Sequence, residues 1–314
     1  MGKIQTLNGP VDSFQLGSVL PHEHLPLFAQ PQDNESFPLS SWGLLKEWFD
    51  PLLNELDKTP FRTMVEVTPI ALGRDIPLWK EIVGRKRLNV VLSTGFYIDE
   101  RQPEWAKEKP ADDIAEFMVR ELKEGIGESG VRAGIIKIAP DASSGQSRKV
   151  CRAAAMASRK TNARITTHSW KTNRQDFDLL VEFGADPGNI FIGHADFAGL
   201  EENDYICRHG GNVIFTMWGL PHILPDKVIY EQFARLVKSG HVNRTLISID
   251  FAVLLDSPSN PYYFKWSYGG TDRRTFSYIP RVVIPKLSDE YGISPGEIRI
   301  MTEDNCRLML DYET

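Results

Sequence analysis

Eight short β-rich runs separated by segments of helical period constrain this 314-residue chain more than any other feature. They read GSVLP, TMVEVTP, NVVLSTG, AGIIKIA, ARITTH, NIFIGH, NVIFT and TLISID. Several are continuously apolar, the pattern of parallel strands buried on both faces. Between them, DDIAEFMVRELKEGIGE sets Ile114, Phe117, Met118 and Leu122 on one helical face, and RKVCRAAAMASRK and DKVIYEQFARLVKSG are comparable. Near the end, Ser294-Pro295-Gly296-Glu297 offers an N-cap serine, a first-turn proline and a capping-box glutamate, which predicts a closing helix through IRIMTEDNCRLML. No linker-like stretch or composition shift divides the chain. Strand and helix alternating in series predict an α/β fold, a (β/α)8 TIM barrel forming a single domain over 1–314. A doubly wound sheet is the alternative, but no Gly-x-Gly-x-x-Gly follows the first run.

Charge narrows the partners. The 36 Lys+Arg and 42 Asp+Glu give a net charge of −6 with no basic cluster, so nothing marks a phosphate backbone or an anionic lipid surface as the ligand. A small molecule is the expected partner, with no nucleic acid and no membrane. Cys151, Cys207 and Cys306 are odd in number and widely spaced, which fits a reducing compartment without disulfides. The first residues lack a charged start followed by a long apolar run, and the expected location is cytoplasmic.

In a barrel of this kind the active site lies at the carboxyl ends of the strands, and polar residues fall there in this sequence. His22 and His24 close the first run at i and i+2, a spacing that sets both on one face of an extended chain, able to hold a cation. Taken alone, they read equally well as two loop histidines. Lys137 sits inside the apolar AGIIKIA, where an unpaired ammonium carries a heavy desolvation cost. It calls either for a neighbouring carboxylate or for an amine that captures carbon dioxide as a carbamate, the one form of lysine with oxygens able to bind metal. His168 ends ARITTH, His194 ends NIFIGH and Asp250 ends TLISID. His209 and His241 lie between elements and read as structural or solvated, while His222, in WGLPHI after the seventh run, is a candidate for the pocket wall.

These residues carry a resemblance. With LPHEHL at the first strand, VEVTPIALGRD at the second, STGFY at the third, RAGIIKIA at the fourth, ITTHS at the fifth, DPGNIFIGHAD at the sixth and the terminal EIRIMTEDNCRLML, the chain resembles the phosphotriesterase family of the amidohydrolase superfamily from end to end. The resemblance implies two divalent metal ions, usually zinc, with Mn2+, Fe2+ or Co2+ also compatible with such ligands. It places His22, His24 and Asp250 on one ion and His168 and His194 on the other, with N6-carboxylysine at Lys137 and a hydroxide between them. It also suggests a homodimer. Two cations make hydroxide available near neutrality, and Asp250 beside it can take the proton and pass it to the leaving group.

Two departures within the resemblance bear on substrate. The aromatic residue at the third strand end is Tyr97, similar to the lactonase branch, where the triesterase branch has tryptophan; a phenol there would face a lactone's ring oxygen. After the seventh strand the chain reads Phe215-Thr216-Met217-Trp218 rather than an acidic residue followed by arginine, which speaks against a signal lactone. Candidate pocket residues are Tyr97, Trp170, Lys171, Trp218 and His222. The long segment after Asp250 adds Tyr262, Tyr263, Phe264, Trp266 and Tyr268, along with Lys265, Arg273 and Arg274 as receptors for an anionic group. The expected reaction is hydrolysis of a lactone. A phosphotriester, carbamate or amide on the same centre is the first rival, and a ligand-binding barrel without catalysis the second.

Overall fold

The computed structural model describes residues 2–28, 36–170, 172–255, 264–266 and 274–312. Its centre is a sheet of eight strands, each falling on one of the eight runs: β1 (Ser18–Glu23), β2 (Phe61–Glu66), β3 (Asn89–Phe96), β4 (Ile135–Ile138), β5 (Ile165–Thr167), β6 (Ile190–Gly193), β7 (Asn212–Phe215) and β8 (Thr245–Ile247). They lie in sequence order, and every neighbouring pair is parallel. Helices α1 (Leu39–Leu56), α2 (Ile76–Val83), α3 (Ala111–Lys123), α4 (Gly145–Thr161), α5 (Asn173–Glu182), α6 (Gly199–Arg208), α7 (Asp226–Leu236) and α8 (Ile284–Tyr291) follow the strands in turn. This is the (β/α)8 barrel.

Because side chains alternate along a strand, each strand feeds two cores. Leu20, Met64, Val90, Ile136, Ile165, Ile192, Val213 and Ile247 face outward onto the helices, where Met118, Leu122 and Phe233 meet them. Val19, Val65, Val91, Ile135, Phe191, Ile214 and Leu246 fill the interior together with Leu16, Cys306, Met309 and Leu310. The closing helix supplies the last three. It begins as predicted: Ser294 Oγ accepts the Glu297 N–H at 3.3 Å, and Glu297 Oε2 accepts the Ser294 N–H at 2.8 Å. The interior is thus sealed at the amino end, and the period of two along β4 lifts Lys137, inward like Ile135, toward the opposite mouth.

The seam between β1 and β8 is closed by side chains together with backbone bonds. The His22 N–H donates to Ser248 Oγ at 2.9 Å, and the Asp250 N–H to His22 O at 3.2 Å. Glu23, fully buried, accepts from Ser248 Oγ at 2.5 Å and from the Ile249 and Phe251 N–H groups at 2.9 Å each.

Part of the segment after Asp250, which the sequence suggested as pocket wall, is strand. Val253–Leu255 pairs parallel with Pro26–Phe28 and antiparallel with Phe264–Trp266, a three-stranded sheet over the mouth that ties the β1 loop to the β8 loop. Among the described residues no helix is long and apolar enough to cross a membrane.

Candidate active site

At the carboxyl mouth, the residues singled out on five strands converge. The His22 and His24 Nε2 atoms lie 3.9 and 3.4 Å from Asp250 Oδ1, and donor atoms of these three residues fall within 4.8 Å of one another. With Leu20 facing outward, a regular pleat would send His22 and His24 outward as well; the ladder to β2 shifts register between Leu20 and Glu23, and such an irregularity re-aims the side chains that follow. Across the mouth His168 Nδ1 and His194 Nε2 face each other at 2.8 Å, too close for both to carry a proton. Lys137, 1% exposed, stands between the two groups with Nζ 2.8 Å from His22 Nε2. Among the described residues no carboxylate lies within ion-pair distance of that amine.

Backbone conformation marks the same places. His194 and Asp250, each at the end of its strand run, adopt φ of 56° and 50°, left-handed values uncommon outside glycine and concentrated at functional sites. Asn173 fixes the first by donating to the Gly193 and His194 carbonyls at 3.3 and 3.2 Å. Two glycines permit the crowding: a Cβ at Gly95 would sit 1.9 Å from Lys137 O, and one at Gly193 would sit 2.1 Å from Thr167 O and 3.0 Å from the His22 ring.

A second ring of residues orients the imidazoles. His24 Nδ1 meets Thr68 Oγ1 at 2.8 Å, and that hydroxyl donates to Glu66. His194 Nδ1 meets Thr216 Oγ1 at 2.7 Å, and Asp196 holds the Thr216 and Met217 N–H groups at 2.8 and 3.2 Å. The sequence reading assigned no role to Glu23, Glu66, Thr68, Asn173, Asp196 or Thr216. Carboxylates embedded in otherwise apolar or ligand-bearing runs, as in HEH, VEV and HAD, were the available signal.

Burial sets the protonation pattern. It holds His22 and His168 well below the usual imidazole range, lowers His24 and brings His194 to about 4, so all four present lone pairs. Burial also brings Lys137 down to about 7, against the opposing charges of Asp250 and Glu66. For Asp250 burial works upward, but the hydrogen bond with His24 and the electrostatic influence of the His194, His22 and His24 rings outweigh it and keep the carboxylate well below its usual range.

The pocket beside this cluster is lined by His24, Lys137, His168, Asp250, Tyr97 and Arg101, with Leu27, Val67, Pro69, Leu72 and Ala252 as an apolar wall. Tyr97 lies in its lining, with its hydroxyl 3.1 Å from His168 Nε2. Trp170 stays at the rim, 42% exposed, its ring centroid 6.4 Å from that of His168 and 4.2 Å from that of Phe197. Three expectations need correction. Trp218 is fully buried behind β7 against Tyr230 and Phe233, where its bulk fills the outer core. His222 is exposed and does not line the pocket. Arg274 is 4% exposed, and its guanidinium donates to the Trp218, Thr216 and Ile249 carbonyls; it braces β7 and β8 instead of awaiting an anion. Lys171, Tyr262, Tyr263, Tyr268 and Arg273 lie outside the described residues, as do the side chains of Phe264, Lys265 and Trp266. His209 and His241 are structural, bonded to Tyr205 O at 2.8 Å and Asp204 at 2.9 Å.

The class that fold and site define is a (β/α)8 barrel with an imidazole-rich mouth. The profile of the phosphotriesterase family matches residues 2–310, and the chain belongs to that family, one of binuclear metal hydrolases. The aryldialkylphosphatase of Saccharolobus solfataricus is 32% identical over 258 residues, 78% of this chain and 80% of that protein. A phosphotriesterase homology protein of Mycobacterium tuberculosis is 28% identical over 337 residues, covering 100% and 99%. A solved structure described as molecular engineering of organophosphate hydrolysis activity from a weak promiscuous lactonase template superposes with a TM-score of 0.81 at 26% identity, over 99% of this chain and 100% of that one.

Proposed function

We propose that this protein opens lactones with two divalent metal ions, zinc the expected pair. The observation that carries the reading is the convergence of four neutral imidazoles and an ionised carboxylate around a buried amine with no carboxylate partner among the described residues. That donor set fits the metals: borderline nitrogen and hard oxygen ligands, unprotonated, aimed at two points on either side of Lys137. His22, His24 and Asp250 would hold one ion, His168 and His194 the other, and Lys137, as its N6-carboxy derivative, would reach both. When bound, such ions supply Lewis acidity toward the acyl oxygen and acidify water.

The chain's own residues do the rest. Asp250 accepts the proton lost by water as its oxygen adds to the acyl carbon, and returns it to the ring oxygen as the acyl C–O bond breaks. Tyr97, next to His168, offers its hydroxyl as donor to that departing oxygen. Thr68 with Glu66, and Thr216 with Asp196, fix the tautomer and direction of His24 and His194. The apolar wall of Leu27, Val67 and Leu72 seats the ring and limits water. Support for a lactone over a phosphotriester comes from Tyr97 and from the lactonase template among the structural neighbours; the aryldialkylphosphatase relative favours the phosphotriester. In this reading the protein works in the cytoplasm as a homodimer on a small ester, and sedimentation tests the assembly.

Protein purified without chelator is expected to carry two metals per chain and Lys137→Ala fewer, with hydrolysis in a panel of lactones, esters, amides and phosphotriesters concentrated on the lactones. Zero or one metal, unchanged in the variant, would overturn the paired centre, and turnover confined to organophosphates would overturn the lactone.

A further inference from the structure

Among the described residues lining the pocket, Arg101 is the single guanidinium, and it shares the lining with the apolar Val67, Pro69 and Leu72. It ends the short turn Asp99–Arg101 that follows β3, its N–H bonded to Ile98 O at 2.9 Å. Its Cζ lies 5.8 Å from the centroid of the Tyr97 ring, whose hydroxyl is 3.1 Å from His168 Nε2. One phenol therefore separates a fixed cation from the reacting centre.

Two buried arginines among the described residues are committed elsewhere. Arg74 is bidentate with Glu121 at 2.7 Å for both bonds, and Arg274 is spent on carbonyls. Arg101 is half-buried, and among the described residues no carboxylate lies within ion-pair distance of it. Five N–H donors in a planar fork match a carboxylate or phosphate, and partial burial against an aromatic face preserves the attraction that full solvation would screen.

We propose that Arg101 is an oxyanion subsite: the substrate is a lactone whose ring carries a carboxylate or phosphate, held by the guanidinium at the pocket mouth while its ester faces Lys137 and Asp250. The inference rests on the lactone reading for its reaction and on the placement of Arg101 for its specificity.

The test compares a γ-lactone ring bearing a carboxylate, the same ring bearing a phosphomonoester, and the neutral carboxamide. The protein is expected to favour at least one charged ring over the carboxamide in kcat/KM, by about 10-fold or more for a charge-assisted pair, through KM. Arg101→Gln is expected to bring that ratio toward one and Arg101→Lys to retain part of it. Absence of a preference, or a preference that survives Arg101→Gln, overturns the subsite. Calorimetry keeps the two readings distinguishable. The ring-opened product analogue 2-hydroxyglutarate should bind more tightly than 4-hydroxybutyrate, and Arg101→Gln should abolish the difference even if no lactone is turned over. Failure of every lactone with that binding difference intact overturns the lactone reading alone; equal binding of the two acids by the unsubstituted protein, with no preference for the phosphorylated ring, overturns the subsite.

Discussion

Gly193 shows how closely a single residue can govern this site. Its missing side chain leaves room for Thr167 O and the His22 ring, and any Cβ would lie 2.1 Å from the first and 3.0 Å from the second. Neither neighbour can yield easily, since one is strand backbone and the other is a ring whose backbone N–H is held by Ser248 and whose Nε2 meets the amine of Lys137. Gly193→Ala is therefore expected to displace His22, lowering bound metal and kcat together. Metal content equal to that of the unsubstituted protein would show that the ring has room to move. Lys137 and Asp250 were visible in the sequence because a charge amid apolar residues demands a partner, and the structure meets that demand with imidazoles. Gly193 was not visible, because a glycine ending a strand has no chemistry of its own until its neighbours are known.

Among elements, α5 combines ordinary packing with a task at the site. Phe177, Leu179 and Leu180 bury its inner face, and Asn173 in its first turn reaches back to the carbonyls on either side of the left-handed turn at His194. Replacing Asn173 with alanine leaves two buried carbonyls short of a donor and is expected to cost about 1–3 kcal/mol. Denaturant unfolding measures that cost, and a drop in metal affinity larger than for a comparable substitution elsewhere on α5 would tie it to His194. The strands, α3 and the capped closing helix could be read from period and capping, which are local. The three-stranded sheet over the mouth could not, because Pro26–Phe28 and Val253–Leu255 each look like loop until the barrel brings them side by side. Trp218 and Arg274 were misjudged for a related reason: position after a strand end does not reveal whether a side chain turns into the mouth or back into the outer wall.

Across the whole molecule, stability responds to the protonation of one buried carboxyl group. Asp176 is buried on α5, accepts from Thr172 Oγ1 at 2.9 Å, and is raised by burial to about 7. The folded state therefore holds a proton that the unfolded chain releases near its ordinary carboxylate pKa. The resulting stability is fully present below that value and is lost as the pH rises through about 7. Asp176→Asn is expected to flatten unfolding free energy against pH across this window; an unchanged slope would assign the effect to other groups. The seam between β1 and β8 has a consequence for biosynthesis. His22 and Ser248 are 226 positions apart, and His22 and His24 meet Asp250 only across that closure. A ribosome must therefore extrude the chain through the eighth strand before the first histidines find their carboxylate. A nascent chain that stalls before Asp250 can display HEH but cannot complete the cluster, so the mouth itself reports that synthesis has passed the eighth strand.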